Sequence, residues 1–91
     1  MYYLLVYDYV PDILTKREPH RAEHLAKLRE LHAAGAVVMA GAAGDPVDSA
    51  VIVFKGDGPG VVETFVASDP YVANGLVTKW RILPWNVVVG G

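Results

Sequence analysis

Tyr2-Tyr3-Leu4-Leu5-Val6-Tyr7-Asp8-Tyr9 decides how this chain folds. Aromatic and branched residues run on until Pro11, the composition of a β-strand. One face of that strand carries Tyr3, Leu5, Tyr7 and Tyr9, and the other carries Tyr2, Leu4, Val6 and Asp8. A strand with one wetted face alternates apolar and polar residues, whereas this one is largely apolar on both. The expectation is a strand in the middle of a sheet, covered on each side.

Pro11 to Glu18 reads as a loop, and a helix follows over Pro19 to Ala34. Its apolar stripe is His24/Leu25, Leu28 and Leu31/His32, and Gly35 supplies the C-terminal stop. Glu23, Lys27 and Glu30 fall on the outer face, with Glu23 and Lys27 in the favourable i, i+4 orientation. Thr15-Lys16-Arg17-Glu18 matches a capping box. Pro19 at the first helical position is the better start, because a proline there gives up no hydrogen bond. Ala36 to Ala40 is a second strand, Gly41 to Asp48 a loop, and Ser49 to Lys55 a third strand. After the glycine-rich loop Gly56 to Gly60 comes a short helix, Val61 to Ala67, burying Val62, Phe65 and Val66. The Asp69-Pro70 turn leads to a long last strand, Leu76 to Val89, interrupted at Pro84. The order β-α-β-β-α-β is the ferredoxin-like plan, an α+β fold with both helices on one face of an antiparallel sheet. The first strand is apolar on both faces and the last adds Trp80 and Trp85, so the open face needs cover. Two sheets packed face to face, as a dimeric α+β barrel, supply it.

The 91 residues make one domain, 1–91. The apolar share is 53%, above the roughly 45–50% of ordinary globular chains. So small a domain has too much surface to hide that excess alone, which again points to a homodimer. The net charge of −2 offers no basic field for nucleic acid. The third strand, Ala50-Val51-Ile52-Val53-Phe54, has one aromatic and no charge, unlike the RNA-binding strand of the same topology. Cysteine is absent, so there is neither a disulfide nor a thiol nucleophile, consistent with a cytoplasmic location. The apolar start is cut by Asp8 and Pro11 and has no basic flank. It is neither a signal peptide nor a membrane span.

Two distant segments carry the chemistry, Arg21-Ala22-Glu23-His24-Leu25 and Ser68-Asp69-Pro70-Tyr71. The first puts a histidine on the apolar stripe of a helix, near its positive end, where the dipole favours neutral imidazole. The second places a carboxylate at a tight turn, where it also suits the cap of a short helix. An imidazole with a positioned carboxylate is the minimal acid–base site, which makes His24 and Asp69 the candidate catalytic residues. Arg21, beside His24, suits an anionic group on a ligand. Ser49 follows a loop and suits a pocket wall, as does Tyr71, while most of the aromatics belong to core and interface. His20 and His24 have metal-ligand spacing, but no third ligand stands out, so no metal is expected. Gly56, Gly58 and Gly60 lack the lysine and the strand-to-helix setting of a phosphate loop. No cofactor motif is present, and no nucleophile elbow marks a serine hydrolase.

In sequence order, the residues Lys16-Arg17, Arg21-x-x-His24-Leu25, Leu28, Leu31-His32-x-x-Gly35, Ala40-Gly41, Ser68-Asp69-Pro70-Tyr71-x-x-Asn74-Gly75-Leu76 and Pro84-Trp85 resemble the YciI-like (YCII-related) domain family. The resemblance spans nearly the whole chain. It implies the dimeric α+β barrel and a histidine–aspartate dyad at His24 and Asp69. Most members of that family have no established reaction; an activity associated with it is dehydrochlorination of a chlorinated hydroxyhydroquinone, an elimination on a small aromatic. The chain departs from the pattern after Gly41, where the family often has proline and Ala42 stands instead.

The sequence thus points to a small dimeric enzyme doing His/Asp acid–base chemistry, of elimination or isomerisation type, on a small polar or aromatic molecule. It uses no cofactor and binds neither nucleic acid nor membrane. The alternative is a non-catalytic dimeric module that holds a metabolite in the same pocket.

Overall fold

The computed structural model describes residues 1–91. Four strands and four helices follow one another as β1 (Tyr2–Tyr9), α1 (Ile13–Lys16), α2 (Glu18–Ala33), β2 (Val37–Ala43), β3 (Ser49–Lys55), α3 (Gly60–Ser68), α4 (Pro70–Ala73) and β4 (Val77–Trp85). The strands form one antiparallel sheet in the order β2-β3-β1-β4. β1 is therefore an inner strand.

Pairing fixes the faces. Tyr3 lies opposite Phe54, Leu5 opposite Ile52 and Tyr7 opposite Ala50. Directly paired residues share a face, so these six side chains line one side of the sheet, and all are buried. Leu28 of α2 and Val62, Phe65 and Val66 of α3 close over them in a single core. On the other side lie Leu4 and Val6, only partly covered, with Met39, Leu83 and Trp85 exposed. Within this chain, then, β1 is covered on one face and not on both.

The segment read as a loop from Pro11 contains α1, a single turn too short to show a helical period. Its Ile13 is almost fully buried with Tyr71 and Leu76 in a second, smaller cluster. α2 starts at Glu18, so Pro19 takes the second helical position and not the first. At its other end Gly35 has φ +84°. The Ala36 N–H donates to Leu31 O at 2.9 Å and the Gly35 N–H to His32 O at 3.0 Å, the paired bonds of a Schellman stop.

β2 continues beyond Ala40 to Ala43, because Gly41 and Ala42 keep pairing with Val51 and Ala50. β4 passes through Pro84 and ends at Trp85, short of Val89. Pro84 is tolerated opposite Tyr3 because β4 is an edge strand, where a residue without an N–H costs little. Pro70 opens a short helix, α4, and not only a turn. No helix is long and apolar enough to cross a membrane.

Candidate functional site

The crossing of α2 and α4 over β1 builds the site. His24 lies about two turns inside α2 on its core-facing side, and it is buried. That depth takes it past the first turn, where the helix dipole acts most strongly, so the carboxylate and not the dipole governs its environment. Asp69 ends α3 and caps α4, and it is fully buried. The two residues meet: His24 Nδ1 is 2.7 Å from Asp69 Oδ1.

A buried carboxylate is stable only when its lone pairs are satisfied. Here Oδ1 also accepts the Tyr71 N–H at 3.1 Å, the capping bond of α4. Oδ2 accepts the Tyr7 hydroxyl at 2.7 Å. Capping and orienting the imidazole are thus done by one side chain. Tyr71 lies flat on the imidazole, with ring centroids 3.7 Å apart and planes 5° from parallel. Phe65 flanks the same ring at 6.2 Å. His24 is consequently fixed in both position and plane.

The tyrosines are held protonated. Burial pushes the Tyr7 hydroxyl far above its usual range, and the negative charge of Asp69 and the hydrogen bond to it add to the shift. Burial likewise raises Tyr9, with the nearby Tyr71 and Asp69 acting in the same direction and Arg17 opposing. Tyr71 is raised by burial against the opposing charges of Arg17 and Arg21. Tyr7 is therefore a donor to Asp69 and not a base.

A cavity of about 500 Å³ opens between α2 and β2, within the range of about 300–1,000 Å³ found for small-molecule sites. Tyr9, Arg17, Arg21, His24 and Tyr71 line it, and its remaining walls are mostly apolar residues of α2, β2 and β3. Arg17 Nε is the only fully buried side-chain nitrogen or oxygen without a hydrogen-bond partner. His24 Nε2 also has no partner, so it is not sealed in the core. It is the ring nitrogen open to the cavity.

Of the residues singled out in the sequence, His24, Asp69, Tyr71 and Arg21 come together here. Ser49 does not. It sits on the sheet face away from the helices, opposite Asp8. Its hydroxyl donates to Asp48 Oδ1 at 3.0 Å and to Ala43 O at 3.3 Å, which fixes the β2–β3 loop. The register corrects its placement: Ala50, one residue on, is the one that reaches the cavity. Tyr7, Tyr9 and Arg17 are the residues the sequence reading passed over as site groups. For Tyr7 a signal existed, since an inward-facing tyrosine on an inner strand must satisfy its hydroxyl.

A four-stranded α+β domain with a buried histidine–aspartate pair at the edge of a cavity defines the class. The chain belongs to the YCII-related domain family, which matches residues 1–86. It is similar in structure to 5-chloro-2-hydroxyhydroquinone dehydrochlorinase from Burkholderia phenoliruptrix, solved in complex with 2,5-dihydroxybenzoquinone. That likeness has a TM-score of 0.78 at 23% identity and covers 94% of each chain. It establishes the shared fold. No curated protein matches the chain.

Proposed function

We propose that this protein is a small dimeric enzyme in which His24, oriented by Asp69, moves a proton on a small polar or aromatic molecule in an elimination or isomerisation. The observation that carries the reading is the 2.7 Å contact between His24 Nδ1 and Asp69 Oδ1. A carboxylate that accepts from Nδ1–H leaves the Nε2 lone pair free to take a proton. When Nε2 does so, the imidazolium forms beside a charge that stabilises it. Tyr7 and the Tyr71 N–H hold the carboxylate in place throughout.

In a dehydrohalogenation the carbon that bears the halogen first takes a proton as the hydroxylated ring passes to its keto tautomer. A remaining hydroxyl proton then passes to Nε2, its electron pair moves through the ring as a carbonyl forms, and halide leaves the now tetrahedral carbon. The sum is loss of one hydrogen halide, with no oxidant consumed. The similarity to a dehydrochlorinase makes chlorinated hydroxyhydroquinones the first substrates to try. Homodimerisation belongs to the same reading. It is supported by the sheet face on which Met39, Leu83 and Trp85 lie exposed beside Leu4 and Val6.

The test is chloride release from 5-chloro-2-hydroxyhydroquinone and related chlorinated and hydroxylated aromatics by wild type and His24→Ala. General acid–base catalysis contributes about 10²–10⁴-fold. A loss of that size on removing His24, with the fold retained, supports the reading. Undiminished turnover in His24→Ala overturns it. Tight binding with no turnover of any compound identifies a metabolite-binding module instead.

A further inference from the structure

The charged side chains that line the cavity are of one sign. Arg17, Arg21 and Arg29 contribute to its wall, and no aspartate or glutamate does. The spacing explains this: Arg21, Leu25 and Arg29 form one i, i+4 row of α2, next to the row of His24, Leu28 and His32. Arg17 stands at the joint of α1 and α2, one turn before Arg21. None of the three guanidinium groups is in an ion pair, the only such contact in the protein being His24 with Asp69.

Arg17 and Arg21 share the His24 end of the cavity. Both act electrostatically on Tyr71, the ring stacked on His24. Glu18 also acts on Tyr71, in the opposite sense, but it does not line the cavity. The buried Arg17 Nε–H lacks an acceptor. A buried donor of a charged group is unfavourable until something accepts from it. Planar guanidinium forks match a carboxylate in two-point contact, and the apolar residues that make up most of the cavity wall suit the ring that carries it.

We infer that the cavity takes a small planar carboxylate, with the carboxylate group held by Arg17 and Arg21 and the ring carried past His24 along the apolar wall between α2 and β2. The inference rests on the reading of this cavity as a substrate site and narrows the substrate to an anion. Arg29, farther along the helix, sets the positive potential of the far wall without touching the bound group.

The experiment compares 2,5-dihydroxybenzoate with 2,5-dihydroxybenzamide, which keeps the shape and loses the charge. Affinity is read by titration calorimetry, and the site by shifts in the amide and Arg Nε–H resonances. Wild type is expected to bind the carboxylate at least tenfold more tightly. The preference is expected to fall below threefold in Arg17→Gln and Arg21→Gln, while His24→Gln retains it. Arg21 is exposed, so Arg21→Gln keeps the test intact should Arg17→Gln not fold. Equal affinities in wild type, no binding of either compound at millimolar concentration, or a preference that survives both arginine substitutions overturns the inference. The two readings fail separately. Loss of the anion preference leaves His24-dependent turnover of neutral aromatics standing. Arginine-dependent binding of the carboxylate without any His24-dependent turnover sinks the enzyme and keeps the anion site.

Discussion

The Tyr7 hydroxyl donates to Asp69 Oδ2 at 2.7 Å, so the carboxylate that orients His24 is itself held by the inner strand of the sheet. That bond joins β1, the centre of the core, to the junction of α3 and α4. Site geometry and core packing are therefore mechanically one. Tyr7→Phe is expected to lower stability by about 1.5–3 kcal/mol, the range for a hydrogen bond to a charged group, as read from urea unfolding at pH 7.

The same hydroxyl gives alkaline pH a defined effect. Its folded-state pKa lies far above the unfolded value of about 10. Below pH 10 both states keep the proton and the contribution is fully present. Above it the unfolded chain loses the proton while the folded chain keeps it, so stability falls as pH rises, by about 1.4 kcal/mol per pH unit for one group. The stability gap between wild type and Tyr7→Phe should accordingly narrow between pH 10 and 11. A gap that is constant with pH would show that Tyr7 does not titrate differently in the two states.

Gly35 is the stop of α2 at φ +84°, and a Cβ added there meets no atom within 4 Å. The cost of Gly35→Ala is therefore conformational and not steric. We expect a loss of about 1 kcal/mol or more, read from the denaturation midpoint. An unchanged midpoint would mean that the left-handed turn does not persist in solution.

Asp69→Asn keeps the shape of the side chain and removes its charge. An amide still accepts from His24 Nδ1–H and from the Tyr71 N–H through its oxygen. Its NH₂ group cannot accept from Tyr7, and no negative charge remains to stabilise an imidazolium. We expect kcat to fall by about a hundredfold with KM little changed. An equal rise in KM at constant kcat would assign Asp69 to binding alone.

The apolar face of the sheet predicts the oligomer. Sedimentation velocity at micromolar concentration should give twice the chain mass of 9.8 kDa, and Leu83→Glu should shift it to the monomer, since a charge on this face must then be buried. A wild-type monomer would remove the dimer from the account.

The sequence was legible where a residue's role depends on its own neighbours. The apolar residues on both faces of the strand around Tyr7 placed β1 inside the sheet, and the His24–Leu28 stripe and Gly35 delimited α2. His24 and Asp69 could be paired because each stands at a locally readable position, a helix stripe and a helix cap. What could not be read depends on distant pairing. Whether Ser49 or Ala50 faces the cavity is decided by register with β1, and a shift of one residue exchanges them. That Arg17 lines the cavity depends on α1, one turn whose stability comes from Ile13 packing on Tyr71 and Leu76 and not from any periodic pattern. Pro84 looks like an interruption until β4 is known to be an edge.

The central claim is that Asp69 fixes His24 with Nε2 as the free base, and the most direct measurement is the ¹⁵N spectrum of the His24 ring, assigned by comparison with His24→Gln. In the neutral state the account predicts a proton on Nδ1, hydrogen-bonded to Asp69, and a bare, non-protonated Nε2. A neutral ring carrying its proton on Nε2 would contradict it, because the nitrogen that faces the cavity would then have no lone pair to accept a substrate proton.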